Sequence, residues 1–427
     1  MLNILKIALR NLARFGRRTF LSSMLITLGI VAVLLFIATA GSFKAMMIGQ
    51  FTDAMLGHLE VHRKGYVASI DNLPLNLNMR PTMVAKVEKA LDGLPAVEAY
   101  SERVKLGAMF SNFTETTAIR VNGVDPVKEV AATPLLPGRI VEGKKERTIL
   151  KPGEILIPTL LARGMKVNVG DTVVLVATNR DGSVNGKTFV VRGIIDSLSG
   201  PSGRDGYIDI KDARELLRMT EPEVNEIVIR LKNPAQLDQV YAQLSNALGA
   251  TSGPGNAARA AANAGPGPGG GLEVHTWADL SPFSSIVRMI DLLALFIKIM
   301  LVSIVLISVM NVMMMAVYER VREIGTISAI GTPPRRILSL FLTEGLLLGV
   351  GGTAVGTAIS LAVIYALNVW KIHFNFGMQQ GLVLSPSIGA VDILIIAGLV
   401  VVITLLASLQ PAWKASRMDP VTALGHV

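Results

Sequence analysis

Four long runs of the sequence contain no charged residue, and they limit the chain to a membrane-spanning architecture. The runs cover residues 19–43, 299–318, 345–370 and 393–413. A transmembrane helix needs about 20 apolar residues to cross the hydrocarbon core of a bilayer. The chain is 51% hydrophobic and only 17% charged, which excludes an ordinary soluble protein of this length. We therefore predict four transmembrane helices.

The first run also has features of a cleaved signal peptide. It follows a basic leader, and Ala38-Thr39-Ala40 fits an A-x-A cleavage site. However, nineteen uncharged residues precede these alanines, whereas the apolar region of a signal peptide has about 7–15. We therefore expect an uncleaved membrane anchor.

The basic residues predict the orientation of the helices, because Lys and Arg beside a span are retained on the cytoplasmic side. The net charge is +9, and the eleven basic and three acidic residues within 1–18, 319–336 and 414–427 account for +8 of it. The segment 44–287 is nearly neutral, with 27 basic and 26 acidic residues. We therefore expect both termini in the cytoplasm and 44–287 outside it, and we exclude nucleic acid as a partner. The eleven basic residues are Lys6, Arg10, Arg14, Arg17, Arg18, Arg320, Arg322, Arg335, Arg336, Lys414 and Arg417.

The segment 44–287 is expected to form a large α+β extracytoplasmic domain. Strand, helix and strand patterns occur in turn at 57–66, 81–91 and 97–109, and again at 225–231, 234–248 and 272–277. Two such units suggest a split β-α-β layout. We predict one subdomain from 44–124 and 221–287, with a small β subdomain inserted at 125–220. Ten Gly or Pro residues within 250–271 predict a flexible loop.

The remaining segments follow from the positions of the spans. Residues 1–18 place leucines on one face and basic residues on another, which predicts an interfacial helix on the cytoplasmic leaflet. The other predicted segments are the first span (19–43), the stalk and second span (288–318), a cytoplasmic coupling helix and loop (319–336), the third span (337–370), an extracytoplasmic loop (371–392), the fourth span (393–413) and a cytoplasmic tail (414–427).

No motif predicts a catalytic, nucleotide or metal site on this chain. Residues 185–188, N-G-K-T, lack the first glycine of a phosphate-binding loop and lie between predicted strands, which indicates a hairpin turn. His58, Glu60 and His62 share one face of a predicted strand and allow a metal site, but surface histidines without a metal are the favoured interpretation. The sequence has no cysteine, so disulfides and thiolate metal sites are excluded.

Glu344 lies near the start of the third uncharged run and is the candidate for a membrane-embedded functional residue. Intramembrane carboxylates are functional candidates by default. An interfacial position, or pairing with a nearby Arg, is the alternative, and in either case we expect Glu344 to face protein. Glycines repeat at four-residue spacing just beyond it, at Gly345 and Gly349 and at Gly352 and Gly356, which predicts close helix packing.

The loop between the second and third spans, VYERVREIGTISAIGTPPRRI, has the strongest signal. It predicts a short helix over 318–330 that ends at Gly331, followed by a helix with Thr332 as N-cap and Pro333 at its first position. A short amphipathic helix that projects between two spans suits docking into a groove of a soluble partner. An ordinary connecting loop is the alternative.

This loop resembles the E-R-x-R-E-I-G-x-x-x-A-x-G segment of the FtsX-like permeases of ABC transporters, a family that includes the MacB exporter and the LolC and LolE lipoprotein-release permeases. The segment ALRNLARFGRRTFLSSMLITLGI resembles the opening of that family, and GHLEVHRKGY is similar to the LolE-type group. The closing P-A-x-x-A-x-x-x-x-P-x-x-A-L of the family is matched by Pro411, Ala412, Ala415, Pro420, Ala423 and Leu424.

The resemblance implies a mechanotransmission permease (type VII) of the bacterial inner membrane. Such a chain would dimerise with the same or a related permease and recruit two ATPase subunits, which bind ATP and Mg²⁺, and would itself hold no cofactor. The implied substrate is a lipoprotein or other amphiphile. The alternatives are a regulator of an envelope hydrolase and the permease of a tripartite efflux pump with a periplasmic adaptor. The residues implied to contact the ATPase are Glu319, Arg320, Arg322, Glu323, Ile324, Gly325, Ala329 and Gly331.

Overall fold

The computed structural model describes residues 2–14, 16–143, 148–196, 205–252, 271–281, 284–371, 373–376, 379–383 and 385–424. The chain divides into a helical unit, Met1–Met46 with Val287–Val427, and a sheet domain, Met47–Ile286. The predicted loop at 250–271, apart from its ends, lies outside the described residues.

Among the described residues, four helices of the helical unit are long and apolar enough to cross a membrane, which confirms the predicted number of spans. They are α2 (Gly16–Phe51), α9 (Ser284–Glu319), α11 (Pro334–Trp370) and α12 (Ala390–Ser416). Both α2 and α9 have 36 residues and, at 1.5 Å per residue, are about 54 Å long. That length exceeds the ~30 Å of a hydrocarbon core, so these helices continue beyond their uncharged runs. The smaller elements are α1 (Leu2–Arg14), α10 (Val321–Ala329), α13 (Pro420–Leu424) and the hairpin β12 (His373–Phe376) and β13 (Gln379–Val383).

The repeated glycines let α11 approach two neighbouring helices closely, as their spacing predicts. A Cβ added at Gly345 would lie 2.1 Å from the Oγ of Ser408 on α12. One added at Gly352 would lie 2.8 Å from Ile26 on α2. The second glycine of each pair contacts the same helix as the first, so each pair serves one interface.

Eleven strands among the described residues join in one sheet of the sheet domain. The strands are β1 (Leu59–Arg63), β2 (Val97–Ser111), β3 (Thr116–Val124), β4 (Ile140–Gly143), β5 (Glu154–Pro158), β6 (Thr172–Thr178), β7 (Val184–Ile195), β8 (Asp205–Asp209), β9 (Glu226–Leu231), β10 (Thr251–Ser252) and β11 (Leu272–Thr276). The helices of the domain are α3 (Pro81–Asp92), α4 (Pro126–Ala132), α5 (Thr159–Met165), α6 (Ile210–Leu216), α7 (Leu237–Leu248) and α8 (Trp277–Leu280).

The predicted split β-α-β layout is present at one side of the sheet. β1 lies between β11 and β9, and β9 pairs with β2, all in antiparallel pairs. β1 and β2 are therefore parallel to each other with β9 between them, and α3 connects them. In the same way, α7 connects β9 to β11 with β1 between them. Apolar side chains such as Val61, Ile229 and Leu244 form the core of the domain.

The insertion at 125–220 differs from the predicted small β subdomain in two respects. Its strands continue the same sheet, because β8 pairs with β3 and β6 pairs with β2. Its described residues include three α-helices, α4, α5 and α6, so the insertion is mixed α/β. The apolar alternation predicts strands correctly but says nothing of their partners, which are set by long-range pairing.

Candidate functional site

The loop between α9 and α11 departs from its predicted form at two positions. The single helix expected over 318–330 is interrupted by Arg320, whose backbone (φ −110°, ψ 15°) separates α9 from α10. The next helix starts at Pro334 with Pro333 as its N-cap, one residue later than predicted, and Thr332 is not the cap. Proline suits the first helical position because its missing N–H needs no partner there.

The predicted ATPase-contact residues divide between two sides of this loop. Arg320, Ile324 and Gly325 are buried in the helical unit. The large apolar side chains of Ile327 and of Ile330, the residue that follows α10, are 40% and 80% exposed, so α10 and its C-terminal end present a mixed charged and apolar surface on the side away from the packing of the helix. The other predicted contact residues are all exposed and comprise Glu319, Arg322, Glu323, Ala329 and Gly331.

A buried ion pair lies at the start of α10. Arg320 Nη1 donates to the two carboxylate oxygens of Glu344 at 3.0 and 3.3 Å, and the side chains are 6% and 3% exposed. Asn11 Nδ2 donates to Glu344 Oε1 at 2.8 Å, and Arg320 Nη2 donates to the Asn11 carbonyl at 3.5 Å. One carboxylate thus connects α1, α11 and the segment that enters α10. We call Asn11, Arg320 and Glu344 the carboxylate node.

The carboxylate node refines what the sequence indicates for two of its members. Glu344 faces protein, as expected, and pairs with an Arg. The Arg is Arg320, and its guanidinium therefore points into the helical unit and not toward the exposed surface of α10. Asn11 is missed by sequence reasoning, since its only signal is a polar residue among the leucines of α1.

The C-terminal segment packs against the same loop. Pro420 begins α13, which contacts α10, and Ala415 and Ala423 are each 1% exposed. Lys414 Nζ donates to the Tyr318 hydroxyl at 2.6 Å and links the ends of α12 and α9. The three sequence blocks that resemble the permease family therefore meet at one end of the helical unit.

A second candidate region lies where α2 enters the sheet domain. After Phe51 the chain makes a π-helical turn, Thr52–Leu56, that ends at Gly57 with φ 65°. A Cβ at Gly57 would lie 2.5 Å from Val228 on β9, so a larger residue would require both a strained backbone and displacement of the strand. The end of this turn therefore packs directly against β9.

Three arginines hold the π-helical turn to the sheet domain. Two of them donate to backbone carbonyls that a π-helical turn leaves available, and the third pairs with a carboxylate. We call these three side chains the arginine clamp. The contacts are Arg103 Nη2 to the Met55 carbonyl (2.6 Å), Arg139 Nη1 to the Ala54 carbonyl (3.3 Å) and Arg230 Nη1 to Asp53 Oδ1 (2.9 Å).

Arg103 is also the centre of a buried charge cluster on this face of the sheet. Its guanidinium donates to Glu129 of α4 at 2.5 Å and to Glu226 of β9 at 3.0 Å, and Lys105 Nζ lies 2.7 Å from Glu226. Burial alone would raise the pKa of Glu226, but Lys105 and its other cationic neighbours hold that pKa well below its usual range. Glu226 is therefore ionised inside the domain.

The polar face of β1 is buried, and the interpretation of its histidines as surface residues is wrong. Glu60 and His62 are 1% and 0% exposed. Glu226 lies opposite His62 in the register of β9, and the ring of Tyr66 stacks on His62 at 5.3 Å between centroids. His58 lies outside this group, where its Nδ1 accepts a backbone N–H of β9 at 3.2 Å.

The N-G-K-T segment lies within β7, not in the hairpin turn, which falls between Thr178 and Val184. Lys187 forms ion pairs with Asp212, at 2.8 Å, and with Glu215. Its ammonium group is thus bound by carboxylates on α6.

Two family models match this chain, and a relative of similar length aligns over nearly all of it. The family model of the MacB-like periplasmic core domain matches residues 19–247, more than half of the chain, and that of the FtsX-like permease C-terminal matches residues 295–420. The lipoprotein-releasing system transmembrane protein LolC of Haemophilus influenzae is 22% identical over 424 residues, which are 97% of this chain and 95% of LolC.

Two further similarities are local or distant. The pyoverdine export ATP-binding/permease protein PvdT of Pseudomonas syringae pv. tomato is 41% identical over 118 residues, which are 28% of this chain and only 16% of PvdT. The crystal structure of the periplasmic region of MacB from Actinobacillus actinomycetemcomitans covers 55% of this chain and 92% of its own, with 8% identity and a TM-score of 0.33. A TM-score this low supports no conclusion, so the family assignment depends on the sequence matches alone.

Proposed function

The chain belongs to the MacB/LolC-type family of ABC transporter permeases, and on this premise we propose that it is a membrane subunit that turns ATP hydrolysis by a separate ATPase into movement of its sheet domain. The similarity to LolC extends over nearly the whole of both chains, which supports this type of subunit. Nucleotide and Mg²⁺ are expected on the ATPase.

The proposed orientation places α1, α10 and α13 in the cytoplasm and the sheet domain in the periplasm of a bacterial inner membrane. The excess of basic residues lies in the three predicted cytoplasmic segments, 1–18, 319–336 and 414–427, whereas acids balance the basic residues within 44–287. The match of residues 19–247 to a periplasmic core domain supports the same orientation.

The exposed side of α10 is the proposed docking surface for the ATPase. It carries Arg322, Glu323 and the exposed Ile327, and the flanking residues Glu319 and Ile330 extend it. Apolar side chains ringed by charges are typical of a helix that inserts into a groove. In the proposed assembly, two such permeases, identical or related, each bind one ATPase subunit.

The carboxylate node is the observation that carries the proposal. A movement of α10 must displace Arg320, because this residue immediately precedes the helix. Arg320 is bound to Glu344 on α11 and, through it, to Asn11 on α1. A buried pair resists separation, since parting the charges without water leaves both uncompensated. Movement at the docking surface is therefore passed to α1 and α11.

The arginine clamp is the proposed point at which movement reaches the sheet domain. α2 runs without a break from Gly16 to Phe51 and passes directly into the clamped π-helical turn. A salt bridge from Lys44 of α2 to Asp291 of α9, at 2.7 Å, joins the two long helices. Because a continuous helix is stiff, displacement of one end of α2 or α9 moves the other end.

An apolar groove between α2 and α9 supports an amphiphilic substrate. Its volume is about 460 Å³. Its lining residues lie next to Lys44 on α2 and on either side of Asp291 on α9. A groove of this kind accepts an acyl chain while a polar head remains outside. We therefore propose a lipoprotein or another amphiphile as the substrate. The groove is lined by Phe36, Thr39, Ala40, Phe43, Ile290, Leu293, Ala294 and Ile297.

Export of a small molecule is the second candidate function. The local similarity to an export permease, PvdT, is higher than that to LolC but covers only 118 residues. Purification after in-cell crosslinking distinguishes the two functions. A lipoprotein attached to residues of the groove supports the first, and a periplasmic adaptor attached to the sheet domain supports the second.

The docking assignment is tested in proteoliposomes that contain the chain and the ATPase that copurifies with it. Reversal of two charges, Glu319→Arg with Glu323→Arg, is expected to abolish the stimulation of ATP hydrolysis by the permease. The matched control is Glu115→Arg, a reversal at an exposed position of the sheet domain, which should retain stimulation. Normal stimulation by the double variant would refute the docking surface.

A further inference from the structure

A cluster of metal-ligand residues lies in the sheet domain, apart from the carboxylate node. Glu60 and His62 are two residues apart on β1, so their side chains project from the same face of the sheet. The register of β1 and β9 places Glu226 opposite His62. Strand pairing alone therefore brings one imidazole and two carboxylates together.

The distances between these groups match those between ligands of a small metal ion. His62 Nε2 lies 3.2 Å from Glu60 Oε2 and 3.5 Å from Glu226 Oε2. Zn²⁺ binds imidazole nitrogen and carboxylate oxygen at about 2.0–2.2 Å, which in tetrahedral geometry separates neighbouring ligands by roughly 3.3–3.6 Å. One candidate ligand atom from each of the three residues lies within 4.8 Å of the other two.

Several polar atoms of this cluster lack an aligned hydrogen-bond partner although they are fully buried. Among the described residues, neither ring nitrogen of His62 has an aligned hydrogen-bond partner, and Glu60 Oε1 and Glu226 Oε2 also have none. The contacts of His62 with the two carboxylates have the distance of an ion pair but not the alignment of a hydrogen bond. Buried polar groups are nearly always satisfied, and a cation between these three side chains would give His62 Nε2 and Glu226 Oε2 the partner that they lack.

Two aromatic rings fix the orientation of the imidazole. Tyr66 stacks on His62 with an angle of 10° between the planes. The ring of His275 on β11 meets His62 edge-on, with centroids 5.7 Å apart. A ring that cannot turn keeps Nε2 directed at the carboxylates, as a metal site requires.

Lys105 is the group that opposes a metal ion here, because its ammonium lies 2.7 Å from Glu226 Oε2. Its side chain is 17% exposed, and a flexible four-carbon stem allows the ammonium to move outward. Burial would lower the pKa of His62, but Glu226 and Glu60 outweigh burial and raise it. A proton and a metal ion therefore compete for His62 Nε2.

We propose that Glu60, His62 and Glu226 form a binding site for a divalent transition metal ion, for which Zn²⁺ is the best match to one imidazole and two carboxylates. The ion would link β1 to β9. β1 is the first strand after the clamped π-helical turn, so the site would stiffen the segment that follows α2. This binding site does not depend on the transport function proposed above.

The test uses the full-length chain in detergent, stripped with EDTA and titrated at neutral pH with Zn²⁺ in competition with a chromophoric chelator. We expect one ion per chain and a rise in Tm on binding, since a ligand of the folded state stabilises it. Replacement by Co²⁺ should give the visible absorption of a nitrogen and oxygen site. Absence of bound metal in the intact protein would overturn the proposal.

Three variants separate a metal site from an internal ion pair. His62→Gln should weaken Zn²⁺ binding by at least about 100-fold, since loss of groups that support a metal site already costs 10–100-fold. His58→Gln, at a buried histidine outside the cluster, is the matched control and should bind normally. Lys105→Met should bind more tightly than the wild type, because the competing ammonium is gone.

The variant Lys105→Met keeps the test decisive if His62→Gln folds poorly. Circular dichroism and Tm in EDTA establish which variants are folded before metal is added. Equal affinity in the folded His62→Gln variant and the wild type, or no gain in Lys105→Met, would show that His62 serves only as a protonated partner of the two carboxylates and would overturn the metal site.

Discussion

The helical unit and the sheet domain both bury charged side chains, but they arrange them differently. In the carboxylate node the acid lies on α11 and the base lies between α9 and α10, and no second cation contacts Glu344 among the described residues. In the cluster around Arg103, two cations lie on one strand, and strand pairing fixes them next to Glu226. A single link between separate helices suits transmission of movement, whereas a redundant cluster within one sheet suits a rigid anchor.

The largest effect is expected from Glu344→Ala. Removal of the acid leaves the buried guanidinium of Arg320 uncompensated, and breaking a buried pair in this way costs about 3–5 kcal/mol. The loss should appear as a lower Tm of the helical signal in circular dichroism and as loss of ATPase stimulation.

A double variant distinguishes stability from coupling in the carboxylate node. Arg320→Met with Glu344→Met removes both charges, and apolar replacement of a buried pair is often neutral or better for stability. We expect Tm to return toward that of the wild type while ATPase stimulation stays lost. Recovery of both would mean that the node has a structural role only.

A smaller loss of stability is expected from Arg103→Met in the sheet domain. Glu129 and Glu226 lose their common partner, but Lys105 remains 2.7 Å from Glu226, so we estimate about 2–4 kcal/mol. Trp277, which is 8% exposed, reports unfolding of this domain by fluorescence once Trp370 and Trp413 are replaced by Phe. A loss as large as that of Glu344→Ala would contradict the redundancy of the cluster.

The pH dependence of the sheet domain should include a contribution from Asp205, at the start of β8. Burial raises the pKa of Asp205 to about 6, despite Lys105 and Arg120 nearby. Because the folded state then favours the protonated form, this group costs stability above about pH 6, and the cost disappears as the pH falls toward the unfolded value near 4.

The comparison of wild type with Asp205→Asn isolates that contribution. The variant should be more stable than the wild type by roughly 1–2 kcal/mol at pH 7, and the difference should shrink on acidification to about pH 5. Tm measured by Trp277 fluorescence across this range provides the check. A constant difference would show that Asp205 does not titrate there.

The smallest effect is expected from Asp53→Asn at the edge of the arginine clamp. The Asp53 and Arg230 side chains are 28% and 20% exposed, and Arg230 retains its bond to Glu98 at 2.8 Å. Exposed pairs contribute up to about 1 kcal/mol, so Tm should change little. A loss as large as that of Arg103→Met would mean that the π-helical turn depends on this pair.

The sequence predicts the overall architecture because that architecture follows from local patterns. The four spans follow from the absence of charge over long runs, and the split β-α-β layout follows from alternation and from prolines such as Pro81 that start helices. The continuation of the sheet into 125–220 could not be predicted, because the pairing of β3 with β8 joins residues far apart in the chain.

The site is less predictable because burial is a tertiary property. The pattern L-E-V-H-R of β1 predicts that Glu60 and His62 face solvent, yet neighbouring elements cover that face. Arg320 belongs to a motif that resembles a surface contact, and only the fold shows its guanidinium turned toward Glu344. The third member of the node, Asn11, lies 333 positions from Glu344, beyond any local pattern.

Site-directed crosslinking tests the central claim, that α10 docks an ATPase, most directly. The sequence has no cysteine, so Ile330→Cys at the C-terminal end of α10 and Glu115→Cys on the sheet domain each provide one thiol for a thiol-to-amine crosslinker in membranes that contain the ATPase. The account predicts a covalent product with the ATPase from Ile330→Cys and none from Glu115→Cys. An active complex that gives no product from Ile330→Cys, or equal product from both, would contradict it.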